Sequence, residues 1–296
     1  MEQRVEIKGI QWQNLEKPDN GELAAFIRAT ELLPIDAEFI MHDHQRPEVA
    51  IRSDYILTLV HIPVFDKKLR VTSGAPLYFV VKENTIYTLQ YQHIVTLQKI
   101  IQEFEKNADI HRELFSDSAL SLALYLISLL NSSSFRKVTR LAKHIEIAED
   151  AVFHGNERKM VEEVGILTRD VLDFRRIIRP QITLFSLASL DDFPDDIRAQ
   201  WARISGQLNQ MWELLQALHD STKELRNTND SMLQYKENEL LRLLSFYSII
   251  AIPILMLANP YSSGDPEARS VFWGALGILL LLLGLIFLRA KRRRVL

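Results

Sequence analysis

The chain has 296 residues, no cysteine, 25% charged residues and a formal charge of −3. The lack of cysteine excludes a disulfide framework, a thiolate metal centre and a cysteine nucleophile. Five positive residues lie in the last eight (Arg289, Lys291, Arg292, Arg293, Arg294), leaving −8 for residues 1–288; so acidic a body lacks the basic footprint of a nucleic-acid binder.

The chain begins MEQRVEIKGI, which is too polar for a cleavable signal peptide. Residues 1–95 read as a mixed α/β region. Asn20-Gly21 followed by ELAAFIRATELL reads as a turn and a helix. Tyr55–Val64 and Leu77–Val81 are rich in β-branched and aromatic residues, as strands are, and Ile86–Leu89 reads as a partner strand after a polar turn at Glu83-Asn84. From about Val95 the pattern turns helical, and residues 96–195 form a second, helical region. Ser116–Leu130 is apolar but short and carries Ser118, Ser121 and Ser128, which predicts a buried core helix rather than a membrane span. Helices are expected over Phe135–Phe153 and from Glu157 to about Ser186, with a break at Pro194.

The segment from residue 196 to 258 reads as one long helix. Ile197, Trp201, Ile204, Leu208, Met211, Leu215, Leu218, Thr222, Leu225, Asn229 and Met232 alternate steps of four and three, a heptad seam held for five repeats. Such a helix cannot bury its seam alone; it needs helices of its own chain or further copies. Thr222 and Asn229, the polar seam positions, are expected to set register.

Leu243–Ala258 is a run of 16 uncharged residues and Val271–Leu288 one of 18. Each is close to the roughly 20 residues that span about 30 Å of hydrocarbon. Residues 259–270 make a loop between them, and residues 289–296 a basic tail. Positive residues favour the cytoplasmic side, and Lys236, Arg242 and the tail flank the spans while the loop has only Arg269. Both termini are therefore expected in the cytoplasm. On hydrophobicity alone the hairpin could be a plain anchor. One face of the first span reads Asn238, Leu241, Ser245, Ser248, Ile252, Leu255, Asn259. Its order of amide, apolar, hydroxyl, apolar, amide suits the wall of a hydrated cation path with a hydrophobic gate. Alternatively, Ser245 and Ser248 bond back to their own helix. Pro253 removes one backbone hydrogen bond, freeing the carbonyl of Ile249 at a kink.

Three other clusters carry candidate chemistry. His42-Asp43-His44 offers transition-metal ligands, although adjacent residues converge poorly and a solvated loop is the simpler reading. Asp191, Asp192, Asp195 and Asp196 either cap the long helix or hold a hard cation. Arg242 with Lys291, Arg292, Arg293 and Arg294 sets topology and meets lipid headgroups, or forms a basic ring at a cytoplasmic pore mouth. No phosphate-binding loop, zinc-protease motif or nucleophile elbow occurs, so the chain does not read as an enzyme.

These residues resemble the CorA-type magnesium and divalent-cation channels. The entry to the first span, Asn238, Glu239, Leu240, Leu241, Arg242, Leu243, Leu244, Ser245, follows the family pattern, as do Pro253 and the Lys291–Arg294 tail. His44–Pro47 with Asp54–Leu59, and Arg175–Pro180, resemble segments upstream. The resemblance implies an α+β cytoplasmic domain, a long stalk helix, two C-terminal transmembrane helices in the inner membrane and a homopentameric funnel contacting lipid. A divalent cation is implied as cargo and as regulator, with no covalent cofactor. The family closes its first span with Tyr-Gly-Met-Asn; here those positions hold Tyr261, Ser262, Ser263 and Gly264. Only the tyrosine matches, with Asn259 just before and Asp265 and Glu267 just after. Two readings follow: a divalent-cation channel, of magnesium or altered selectivity, and a non-conducting membrane-anchored scaffold or regulator.

Overall fold

The computed structural model describes residues 2–41, 46–66, 70–107, 113–187, 190, 192–261, 273, 274 and 277. The chain divides into two compact units, residues 1–229 and 230–296.

The first unit is built on a six-stranded sheet. Its strands are β1 (Glu2–Ile7), β2 (Ile10–Glu16), β3 (Glu48–Ile51), β4 (Tyr55–Asp66), β5 (Val71–Lys82) and β6 (Thr85–Gln90), in the order β1-β2-β6-β5-β4-β3. Only β2 and β6 pair in parallel; the other pairs are antiparallel. β1 and β2 form a two-residue hairpin, with Lys8 at φ 53° and Gly9 at φ 77°, the double left-handed turn whose twist suits paired strands.

The sheet is covered on both faces, which is why β4 and β5 read as near-continuous apolar runs. Side chains along a strand alternate between faces. Leu77, Phe79 and Val81 of β5 join a core with the long helices, while Tyr78 and Val80 join a core under the short ones. The short helices are α1 (Asn20–Thr30) and α2 (Pro34–Met41). Asp19 caps α1 through the backbone of Glu22 at 2.7 Å, and Glu22 returns the bond at 3.2 Å, a reciprocal cap that fixes where the helix begins. The long-helix layer is α3 (Val95–Lys106), α4 (Ala119–Phe153), α5 (Glu157–Leu187) and the first part of α6 (Asp195–Tyr261).

Several expectations are met: the strand positions of β4 and β6, the helical onset at Val95, the span of α5 and the length of α6. Two are corrected. The core helix of residues 116–130 and the helix of 135–153 are one 35-residue α4. The run of serines at 132–134 does not break it, because Ser132 and Ser134 donate their hydroxyls to carbonyls four residues back, at 2.9 and 3.0 Å. The strand expected at 77–81 begins six residues earlier, since β5 pairs with β4 along its whole length.

Candidate functional site

The candidate site lies on α6. Within the first unit its heptad seam is buried from Ile197 through Asn229, with Met232 half-buried beyond. The partners are helices of the same chain. Trp201 Nε1 donates to the Phe185 carbonyl at 2.8 Å, and the two rings lie 4.7 Å apart. Gln200 donates to Ser121, and Gln207 to Ser128 at 3.0 Å. Arg175 and Arg179 of α5 stack over the Trp212 ring, at 5.0 and 5.8 Å, where the ring quadrupole attracts a cation. The seam's polar positions differ. Thr222 donates its hydroxyl to the His219 carbonyl at 2.9 Å, whereas Asn229 is 2% exposed and its Oδ1 accepts no hydrogen bond.

Within the second unit the burial pattern changes. Every described side chain from Gln234 to Ile252 is exposed on all faces of the helix. These include Leu240, Leu241, Leu243, Leu244, Phe246, Tyr247, Ile249 and Ile252. A helix that is apolar all round is normally buried, in the core of a large protein or in a membrane.

Asn238, Leu241, Ser245, Ser248 and Ile252 lie at successive steps of three and four on this exposed stretch. Ser248 donates to the Leu244 carbonyl at 2.9 Å, the bond back to its own helix that the alternative reading expects. Leu255 and Asn259 fall on the described backbone of α6, which passes Pro253 and ends at Tyr261. Ser262, Ser263, Gly264, Asp265, Glu267 and the tail from Lys291 to Arg294 lie outside the described residues, as do His42, Asp43 and His44. Arg242 is exposed.

Among the described residues no helix is long and apolar enough to cross a membrane. The described side chains of α6 stop at Ile252, inside the first expected span; of the second, only Trp273, Gly274 and Gly277 are described.

The acidic cluster behaves as a helix start. Asp195 and Asp196 sit in the first turn of α6, Asp195 pairs with Arg198 one turn on, and Asp192 is exposed. Acids there are favoured by the helix dipole. Asp191 is outside the described residues, and among the described residues no three carboxylates or imidazoles come together as a metal would need.

Sequence reasoning passed over one electrostatic group. Asp36 of α2 is buried and accepts from Arg52 Nη2 at 2.7 Å, Arg52 Nε at 2.8 Å and the Tyr55 hydroxyl at 2.5 Å. The guanidinium hydrogen bond holds the Asp36 carboxyl below its usual range. Burial raises the Tyr55 hydroxyl, so Tyr55 remains a donor. With every Asp36 oxygen occupied, the group works as a clamp between α2 and the β3–β4 hairpin.

The cobalt/magnesium transport protein CorA of Thermotoga maritima is 21% identical over 270 residues, 87% of this chain and 76% of that protein. The complete CorA magnesium transporter of Methanocaldococcus jannaschii superposes with a TM-score of 0.79 at 15% identity, covering 95% of this chain and 90% of that one. The full-length CmaX protein superposes at 0.74 with 13% identity, covering 95% and 88%. The fold is thus CorA-like, an α+β domain with long helices. The family model described as CorA-like Mg2+ transporter protein matches residues 8–292, and the chain belongs to that family, whose members are transporters of metal ions and not enzymes.

Proposed function

We propose that this chain is a homopentameric inner-membrane channel that passes divalent cations along α6. Both termini lie in the cytoplasm, and the spans are 243–258 and 271–288. The observation that carries the reading is the switch in burial along one helix. A one-faced buried seam ends at Asn229, and an apolar stretch exposed all round follows. Around a fivefold axis the strip from Asn238 to Asn259 lines the path. Its amides and hydroxyls meet a hydrated ion, while Leu241, Ile252 and Leu255 close it by dewetting. The membrane potential supplies the drive, about 2.3 kcal/mol per charge per 100 mV and about twice that for a divalent ion. The test is tracer uptake of magnesium, zinc, cobalt and sodium into liposomes holding the purified chain. Uptake that changes with Asn238→Ala is expected; no uptake of any ion in either form sinks the reading.

A second reading rests on residues 262–264. Ser-Ser-Gly stands where the family pattern has Gly-Met-Asn, so no asparagine amide occupies that signature position. On this reading the chain is a non-conducting membrane-anchored scaffold or regulator. Flux that appears only when Gly-Met-Asn is placed at 262–264 would favour it over the channel.

A further inference from the structure

A cavity of about 670 Å3 opens in the first unit between α3, the middle of α4 and the outer end of β4. Its walls carry Lys99, Arg136, Lys137 and Arg140, and among the described residues none of the four is in an ion pair. Such a group is out of place in a chain whose residues 1–288 carry −8. Arg136 and Arg140 are one turn apart on α4, a like-charge spacing that works against the helix. Lys137 is half-buried and donates a hydrogen bond to the Pro63 carbonyl at 2.5 Å. Burial alone pushes its ammonium down. Among the described residues the one carboxylate on the wall is Glu103, so the described lining keeps a net charge of about three positive units.

The rest of the wall narrows the ligand. Thr96 Oγ1 and Ser133 Oγ lie 3.4 Å apart on it and offer neutral hydrogen bonds. Phe65 is 48% exposed at the rim and Val95 55%, an apolar ledge beside the cations. The volume lies within the range of small-molecule sites, roughly 300–1,000 Å3. A cavity of that size in an acidic body does not suit a nucleic-acid strand. Three net positive charges match a polyphosphate better than a single phosphate, and guanidinium forks fit phosphate oxygens. An aromatic and aliphatic ledge suits the flat face of a base.

We propose that this cavity binds a nucleoside polyphosphate, with Arg136, Arg140, Lys99 and Lys137 on the phosphates and Phe65 against the base. The site is built from residues of the first unit alone and does not depend on whether the chain conducts.

The test is calorimetric titration of the full-length protein in lipid nanodiscs with adenosine triphosphate, inorganic tripolyphosphate and adenosine. Saturable binding of the first two and none of adenosine is expected, weakening as salt is raised. The exposed pair Arg136→Glu and Arg140→Glu should weaken both at least tenfold. Phe65→Ala should weaken adenosine triphosphate severalfold and leave tripolyphosphate unchanged. Lys99→Glu, on a different helix, serves as an independent variant if the double one alters the thermal melt. No saturable binding of either polyphosphate overturns the proposal, as does unchanged affinity in both charge variants. A charge variant that changes the number of subunits, in a protein that binds neither polyphosphate, overturns it in favour of a subunit contact. Equal affinity for the two polyphosphates, indifferent to Phe65→Ala, removes the nucleoside from it.

Discussion

Asp36 shows how much a single residue gains from its neighbours. Its folded carboxyl titrates lower than an unfolded aspartate, first through the Arg52 hydrogen bond and then through Tyr55. A lowered carboxylate contributes stability that is fully present above the unfolded value, about pH 4, and is lost as pH falls through the folded one. Asp36→Asn should therefore lower Tm at pH 7, with the gap to wild type shrinking below about pH 4. A gap that stays constant from pH 7 to pH 2 would reject the clamp. Arg52→Ala should cost about 1–3 kcal/mol in a denaturant titration, since it leaves a buried carboxylate with only Tyr55. Asp170 is the opposite case. Burial, then the charge of Asp173, raises its pKa, and its Oδ1 has no hydrogen-bond partner. A raised carboxyl contributes stability below the unfolded value, and this is lost as pH rises through the folded value. Asp170→Asn should raise Tm at pH 7, and the gain should vanish on acidification, where Asp170 is itself neutral. Neither role is legible in the sequence. Asp36 is one acid in a short helix until folding brings Arg52 and Tyr55 to it from 16 and 19 positions away.

At the scale of elements, legibility follows periodicity. The α6 seam is readable because eleven positions at heptad spacing leave no other regular face, and ten of them are buried. Its partners are not readable, since a seam says only that something covers it. The β1–β2 hairpin is hidden in the sequence for a related reason. Its turn is Lys8-Gly9 rather than Asn-Gly or Asp-Gly, and the polar residues of MEQRVEI conceal an edge strand with only one buried face. α4 is continuous where the pattern suggests two helices, because the helix carbonyls accept the hydroxyls of Ser132 and Ser134. Gly74 marks a contact that no pattern announces. A Cβ there would lie 3.2 Å from Ile177 Cγ1 and 3.3 Å from His61 Cβ, where β5 meets α5 and β4. Gly74→Val should cost about 1–3 kcal/mol, as overpacked cores do. A thermal or denaturant unfolding curve unchanged by that substitution would show that α5 yields freely.

At the scale of the whole molecule, an apolar stretch exposed around its full circumference is unstable in water as a lone chain. In lipid mimetic, native mass spectrometry should find five copies of the 34.3 kDa chain held with bound lipid. A monomer would leave the strip from Asn238 to Asn259 with no path to line. Composition, two uncharged runs, the heptad seam and the Asn238–Ser245 pattern were enough to place the chain in its family, because each is a local property of neighbouring residues. Only tertiary structure decided which helices cover the seam, that Asp36 is clamped and Asp170 is not, and that four cations with no ion pair among the described residues meet in one cavity. These depend on residues far apart in sequence, whose distances are set by the sheet order and the packing of α3 to α6 on one of its faces.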